Sequence, residues 1–205
     1  MSERGFFIVF EGPDKSGKTT QAKLLEEYLK RNGYKAILTR EPGGTSISEK
    51  IRDLILDPKN IISPMCELLL YEASRADHVE NLIKPALNDG YIVISDRFTI
   101  ASLVYQGFAR GLGVGLVEKL NRIATAGLKI DIIFGFDISV DEYYKRSMIF
   151  PKDRMEDEDR IFISKVIDAY RQIYKKNRRI KVIDATKSID EIHLLIVKEV
   201  EKKLL

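Results

Sequence analysis

The residues that most clearly predict chemistry form a glycine-flanked loop near the N-terminus. Gly12 to Thr19 fit the pattern G-x-x-x-x-G-K-[ST], in which backbone N–H groups surround phosphate oxygens. In this pattern the lysine reaches the β- and γ-phosphates and the next hydroxyl holds Mg²⁺, which assigns those roles to Lys18 and Thr19. The loop therefore predicts binding of a nucleoside triphosphate, but it does not separate a kinase from a switch or a motor.

A second charged pair, Asp96 and Arg97, follows the apolar run 91–95. Phosphate-loop proteins place a carboxylate near the magnesium at the carboxyl end of a buried strand. An adjacent arginine can bind a phosphate through two parallel hydrogen bonds. A structural ion pair is the alternative. We favour function because both charges leave a continuous apolar strand.

Four further stretches are weaker candidates. The turn 40–45 contains Pro-Gly-Gly, which breaks helix and strand, and it is either a connector or a ligand-facing loop with Glu41 and Arg52. Tyr71 and Arg75 are four positions apart and share a helix face, and this spacing alone favours a core tyrosine beside a surface arginine. The segment 98–115 mixes polar, aromatic and glycine residues and resembles the wall of a site. The segment 148–158 joins two helices as a solvated loop or as a lid that excludes water.

Strand and helix patterns alternate along the whole chain. Strands are predicted at 6–10, 35–39, 91–95, 130–137 and 181–184. Helices are predicted at 18–31, from Ser46 or Ser48 to Leu56, at 65–88 with a disturbance at Pro85, and at 117–125, 141–146, 161–176 and 189–204. Gly33 is expected to end the first helix, and Asp141 to cap a later one. This alternation predicts a parallel sheet covered by helices on both faces.

Composition limits the possible functions. The chain has 205 residues, of which 44% are hydrophobic and 32% charged, and this predicts one globular domain over 1–205. The absence of a long apolar run and of a signal-peptide pattern predicts no membrane and a cytoplasmic location. The net charge of +3 is spread out, which argues against nucleic acid. The single cysteine, Cys66, is expected to pack in an apolar stretch, and His78 and His193 to lie on helix surfaces.

The remaining motifs favour a small kinase. The sequence has no N-K-x-D, and its only D-x-x-G lies inside the phosphate loop, which argues against a guanine-nucleotide switch. The chain is shorter than is usual for motor or transporter ATPases. A small kinase fits this length and leaves room for a second substrate.

Several segments resemble the thymidylate kinase family in the family's own order. They are residues 10–21, 40–45, 49–52, 73–75, 96–98, 105–107 and 153–156. The resemblance implies an α/β P-loop kinase fold with a five-stranded parallel sheet and a short lid at about 147–158. It also implies that the protein transfers the γ-phosphoryl group of ATP to dTMP, that Mg²⁺ assists, and that the protein is a homodimer built through helices.

The resemblance assigns roles position by position. ATP would contact Gly12, Pro13, Asp14, Lys15, Ser16, Gly17, Lys18, Thr19 and Thr20, with Thr19 and Asp96 on the magnesium side. The catalytic group would be Lys15, Lys18, Asp96, Arg97 and the lid residue Arg154. The dTMP site would comprise Asp14, Glu41, Pro42, Arg52, Tyr71, Arg75, Arg97, Ser102, Tyr105 and Gln106. In this site Tyr71 would stack on thymine and Arg75 would bond its edge.

The chain departs from the family pattern at several positions. The lid segment 147–150 lacks basic residues while the loop carries Lys15, so we hypothesise that Lys15 is the cation that stabilises the transition state. Tyr71 stands where phenylalanine is usual, Phe98 where tyrosine is usual, and Ala101 where serine is frequent. A kinase for another pyrimidine nucleotide or for a deoxynucleoside is the alternative enzyme. An ATP-binding regulatory protein is the alternative outside enzymes.

Overall fold

A computed structural model describes residues 5–148 and 159–204. Its five strands are β1 (Phe6–Glu11), β2 (Ala36–Arg40), β3 (Ile92–Asp96), β4 (Ile132–Asp137) and β5 (Ile180–Asp184). They form one sheet in the order β2-β3-β1-β4-β5, and every pairing is parallel. The predicted five-stranded parallel sheet is confirmed. The single domain over 1–205 stays a prediction, and the lid residues 149–158, with Arg154, lie outside the described residues.

The helices account for most of the chain between the strands. They are α1 (Lys18–Arg31), α2 (Ser46–Leu56), α3 (Pro64–His78), α4 (Lys84–Asn88), α5 (Thr99–Ser102), α6 (Val114–Ala124), α7 (Val140–Ser147), α8 (Arg160–Lys176) and α9 (Ile189–Leu204). Two π-helical turns, Val79–Ile83 and Leu103–Ala109, follow α3 and α5 directly. The predicted helix 65–88 is therefore continuous, with a π-helical turn before Pro85.

Helix capping differs from the prediction at two starts. Thr45 caps α2 by accepting a hydrogen bond from the backbone N–H of Ser48, so the cap precedes both serines that were proposed. Ser139 caps α7 in the same way, and Asp141 lies within the first turn, where its charge favours the helix N-terminus. The segment 98–115, for which no secondary structure was predicted, is largely helical.

The central strand β1 is buried on both faces. Ile8 and Phe10 pack into a cluster with α1, α8 and α9, whereas Phe7 and Val9 point to the other side and pack near Ile83 and Phe98. This alternation follows the two-residue period of a strand. Helices therefore cover both faces of the sheet, as predicted.

Two predictions about single side chains are wrong. Cys66 is exposed on α3, because the apolar face of that helix is turned toward α2 and α6 at other positions. His78, expected on the surface, has no exposed area and lies beneath the turn after β2. Within 5–148 and 159–204, no helix has both the length and the apolar character required to cross a bilayer.

Candidate active site

The phosphate loop connects the end of β1 to the first turn of α1. Gly12 has φ 151°, and a Cβ there would meet the carbonyl oxygen of Phe136 at 2.8 Å, so no larger residue fits. Gly17 caps α1 with φ 90°. The Lys18 side chain is buried and folds back, with Nζ donating to the Pro13 carbonyl at 2.6 Å. Burial, and secondly the charge of Arg97, lower the pKa of Lys18 to about 8. The loop thus lies in the strand–loop–helix setting that the phosphate-binding pattern requires.

Asp96 lies beside this loop because β3 pairs with β1. The parallel register sets Asp96 opposite Phe10, two residues before the loop begins at Gly12. The hydroxyl of Thr19 donates to Asp96 Oδ2, while Asp96 Oδ1 is buried without a hydrogen-bond partner among the described residues. A hydroxyl and a carboxylate with an unused oxygen fit Mg²⁺, which prefers oxygen ligands and completes its shell with phosphates and water.

Arg97 joins the loop to the next cavity. Its backbone has φ 74°, and its N–H donates to the Phe10 carbonyl at 2.8 Å. Its Nη1 donates to the Gly12 carbonyl at 2.9 Å and to the Tyr170 hydroxyl at 3.2 Å, and its Nη2 donates to Asp14. Burial disfavours the charged form of both groups, but the attraction between the two charges outweighs it. The pKa of Arg97 is therefore raised, and the pKa of Asp14 is lowered to about 2. Both groups therefore remain charged at neutral pH.

A cavity that is open to solvent adjoins Arg97. All ten residues predicted for the acceptor nucleotide line it: Asp14, Glu41, Pro42, Arg52, Tyr71, Arg75, Arg97, Ser102, Tyr105 and Gln106. Leu56, Phe98 and Ala101 also line it. Leu56 was missed because an apolar residue at a helix end has the pattern of a core residue. The roles of these residues toward a ligand stay predictions, although the structure brings the side chains together.

Arg75 lies at the floor of this cavity and is only 1% exposed, whereas Tyr71 is half-buried, which reverses the expectation from spacing. Its Nε donates to Glu41 at 2.7 Å, and its Nη1 donates to Glu72 at 2.7 Å and to Asn121 at 2.6 Å. Its Nη2 donates to the Phe98 carbonyl and the Ser102 hydroxyl, each at 3.0 Å. All five N–H donors of this guanidinium therefore have protein partners.

His78 completes the same buried network. Its Nδ1 lies 3.0 Å from Glu41 Oε1 and its Nε2 lies 2.7 Å from the Thr39 hydroxyl. A Cβ on Gly44 would come within 2.6 Å of the ring, so the ring fills the space beneath the turn 41–44. His78 and Arg75 thus hold the two oxygens of Glu41, which faces the cavity. The sequence around His78 has the pattern of a helix surface, so it did not predict this role.

Arg146 was also missed. Its Nη1 donates to the Lys15 carbonyl at 3.1 Å, and its Nη2 donates to the Ala185 carbonyl at 2.8 Å. It therefore ties the phosphate loop, where Lys15 has φ 61°, to the loop after β5. Its Nε also pairs with Glu142 four residues earlier, and this spacing has the pattern of an ordinary surface ion pair.

Comparison with known proteins identifies the family. A family model described as "Thymidylate kinase" matches residues 10–196. A thymidylate kinase from Caldanaerobacter subterraneus subsp. tengcongensis is 48% identical over 202 residues, which is 98% of this chain and 97% of the relative. Thymidylate kinases from Thermosipho melanesiensis and Thermoanaerobacter sp. strain X514 are 47% and 46% identical, over 97% and 98% of this chain and 98% and 100% of their own lengths.

The fold and the phosphate loop place the chain among the α/β P-loop proteins, and the family match makes it a nucleoside monophosphate kinase. The family match covers most of the chain, and relatives of this similarity span it almost completely. The chain belongs to the thymidylate kinase family. The resemblance seen in the motifs is therefore confirmed.

Glu11, the last residue of β1, provides a pH-dependent test of this site. Its Oε1 accepts hydrogen bonds from the backbone N–H groups of Phe98 and Ile100 at 2.9 and 3.0 Å, while Oε2 is buried and has no hydrogen-bond partner in the part of the chain that the structure describes. Burial outweighs the charge of Arg97 and raises the pKa of Glu11 from 4.5 to about 7. Between these values the native protein keeps a proton that the unfolded chain has lost. The free energy of unfolding therefore falls as pH rises, by about 3 kcal/mol in total.

The replacement Glu11→Gln removes this titration and keeps an oxygen for both N–H donors. We expect the free energy of unfolding of Glu11→Gln, relative to the unaltered protein, to rise by about 3 kcal/mol between about pH 4 and about pH 8. Urea unfolding of both proteins at the two pH values measures this difference. A difference that stays constant to within about 0.5 kcal/mol would contradict a buried, titrating carboxyl group.

The buried network predicts a large effect for His78→Ala. This change leaves Glu41 Oε1 and the Thr39 hydroxyl without the partner they share, so we expect a loss of about 1–3 kcal/mol in the free energy of unfolding. His193→Ala on α9 is the matched control, because that ring is partly exposed and should cost about 0.5 kcal/mol or less. Chemical unfolding at neutral pH compares the two, and equal effects would refute the network's contribution.

Proposed function

We propose that this protein transfers the γ-phosphoryl group of ATP to dTMP, giving ADP and dTDP. The observation that carries the proposal is that the phosphate-loop cavity and the neighbouring cavity share Asp14, Glu41, Arg52 and Arg97 as common walls. One cavity offers backbone N–H groups and Lys18 to a triphosphate. The other offers an aromatic ring and polar groups to a nucleoside. Donor and acceptor phosphates would therefore meet at Arg97, which suits a reaction that depends on positioning and charge neutralisation.

The acceptor base would lie against Tyr71, since a half-buried ring facing a cavity provides stacking area. The five N–H groups of Arg75 already have partners, so a base edge that bonds Arg75 has to share or displace one of them. The Ser102 hydroxyl and the Gln106 amide line the same cavity. Gln106 is oriented by Glu67, which accepts from its Nε2 at 2.8 Å. These groups would provide the polar contacts by which the site selects its base.

Mg²⁺ would be held by Thr19 and Asp96 together with the phosphates of ATP. Among the described residues, no cluster of three or more acidic, histidine or cysteine side chains forms a separate metal site, so the nucleotide has to provide the other ligands. The ion would neutralise charge on the transferring group. Arg97 and Lys18 would orient the phosphates, and Asp14 would hold the acceptor sugar beside them.

We also propose a cytoplasmic homodimer. Met65 and Leu69 expose 42% and 51% of their surface on α3, and Ile47 and Leu54 expose similar fractions on the adjoining α2. A second copy would cover this apolar area. The molar mass in solution at micromolar concentration tests the assembly.

Turnover of dTMP is the direct test of the proposed reaction. With ATP and Mg²⁺ we expect dTMP to be the best acceptor in a panel that also contains dUMP, dCMP and thymidine. A coupled assay of ADP formation measures each rate, and separation of the products identifies dTDP. A preference for another acceptor would support a related kinase. ATP binding without transfer to any acceptor would support a regulatory protein.

Lys15 provides a second test, because its side chain is the positive charge at a variable position of the phosphate loop. If Lys15 stabilises the charge of the transferring phosphoryl group, Lys15→Ala should lower kcat by about 10²–10⁴-fold and change the KM for dTMP by less than about threefold. Lys15→Arg keeps the positive charge at the same backbone conformation, and it should retain far more activity than Lys15→Ala. Steady-state kinetics of both variants decide the matter. A kcat near that of the unaltered protein for Lys15→Ala would refute the hypothesis.

A further inference from the structure

Tyr170 reaches the phosphate site from α8, far along the chain from the phosphate loop. Its side chain is 1% exposed and packs edge-on against Tyr105, with ring centres 6.4 Å apart. Its hydroxyl accepts a hydrogen bond from Arg97 Nη1 at 3.2 Å. Neither the motifs nor the family resemblance pointed to this residue. Its position in α8 has the pattern of an ordinary core aromatic residue.

The Arg97 guanidinium is held at three points. Both hydrogens of Nη1 are used, one by the Gly12 carbonyl and one by the Tyr170 hydroxyl, and one hydrogen of Nη2 is used by Asp14. Within the described residues, Nε–H and the second hydrogen of Nη2 have no partner. These two donors are therefore the ones left for a phosphate oxygen. Their direction depends on the plane in which the other three bonds hold the guanidinium.

Gly12 and Asp14 belong to the same loop, so the hydrogen bonds to these two residues attach the guanidinium to only one element of the fold. The hydrogen bond to Tyr170 attaches the guanidinium to a second element, α8, and this bond prevents the guanidinium plane from tilting with the loop. Burial raises the pKa of Tyr170 well above its ordinary value, so the hydroxyl is neutral and accepts from the cation without adding charge.

We propose that Tyr170 is a positioning residue: its hydroxyl orients Arg97 so that the two remaining N–H donors face the phosphate of the acceptor nucleotide. The inference rests on the proposed function, because it assumes an acceptor that carries a phosphate. A positioning role predicts a specific pattern of binding affinities. Loss of the hydroxyl should weaken binding of the phosphate and leave binding of the nucleoside part unchanged.

Calorimetric measurement of dTMP and thymidine binding to Tyr170→Phe tests this prediction. We expect the Kd for dTMP to rise about three- to tenfold, the size of one ordinary hydrogen bond, because the hydroxyl acts through Arg97 and not on the ligand itself; the Kd for thymidine should change by less than about twofold. Tyr174→Phe is the matched control. It removes a buried hydroxyl one turn further along α8 that donates to the carbonyls of Glu11 and Phe136 and does not contact Arg97. We expect it to change the two Kd values by a common factor, if at all.

A double substitution sharpens the test. In an Arg97→Lys background, adding Tyr170→Phe should leave the Kd for dTMP unchanged, because the hydroxyl acts through the guanidinium. Equal losses for dTMP and thymidine in Tyr170→Phe, or the same selective loss in Tyr174→Phe, would overturn the positioning role while leaving the proposed function intact. An unaltered protein that neither binds nor phosphorylates dTMP would overturn the proposed function, and this inference with it.

Discussion

The parallel pairing of β1 with β3 is the constraint on which the site depends. In this register Phe10 lies opposite Asp96, so the phosphate loop and the pair Asp96–Arg97 emerge side by side from one edge of the sheet. Because β1 is buried on both faces, a slip of one residue would exchange the side chains of the two apolar clusters. The packing of the core therefore also sets the position of Asp96 beside Thr19.

Buried charges then connect this edge of the sheet to the helices around it. Arg75 binds Glu41 after β2, Glu72 on its own helix and Asn121 on α6. Arg97 binds Asp14 in the phosphate loop and Tyr170 on α8. A buried charge that loses its partner is costly, so each arginine holds the separate elements that pair with it in one arrangement. The same bonds that satisfy these charges shape the cavity that adjoins Arg97.

Local patterns predicted the fold well because they reflect local physics. The apolar run before Gly12 and the alternation of strand and helix identified all five strands, with ends that differ from the structure by a few residues. The E-P-G-G-T turn, together with Asp96 and Arg97, led to the family. The family resemblance also pointed to ten residues, and all ten line one cavity. Helix starts were less well predicted because several adjacent residues, such as Thr45, Ser46 and Ser48, are all good caps.

His78, Arg146 and Tyr170 show where such reasoning fails. Each lies on a helix whose residues suggest an ordinary surface or core position, and each acquires its role from a partner distant in the chain. Glu41 lies 37 positions before His78, and Arg97 lies 73 positions before Tyr170. The chain's residue order was enough to specify a triphosphate loop, a parallel α/β sheet and a kinase family, because these depend on spacing within short segments. The burial of Arg75 and the orientation of Arg97 depend on long-range packing, because only contacts between separate elements decide which charges leave water and which partners they meet.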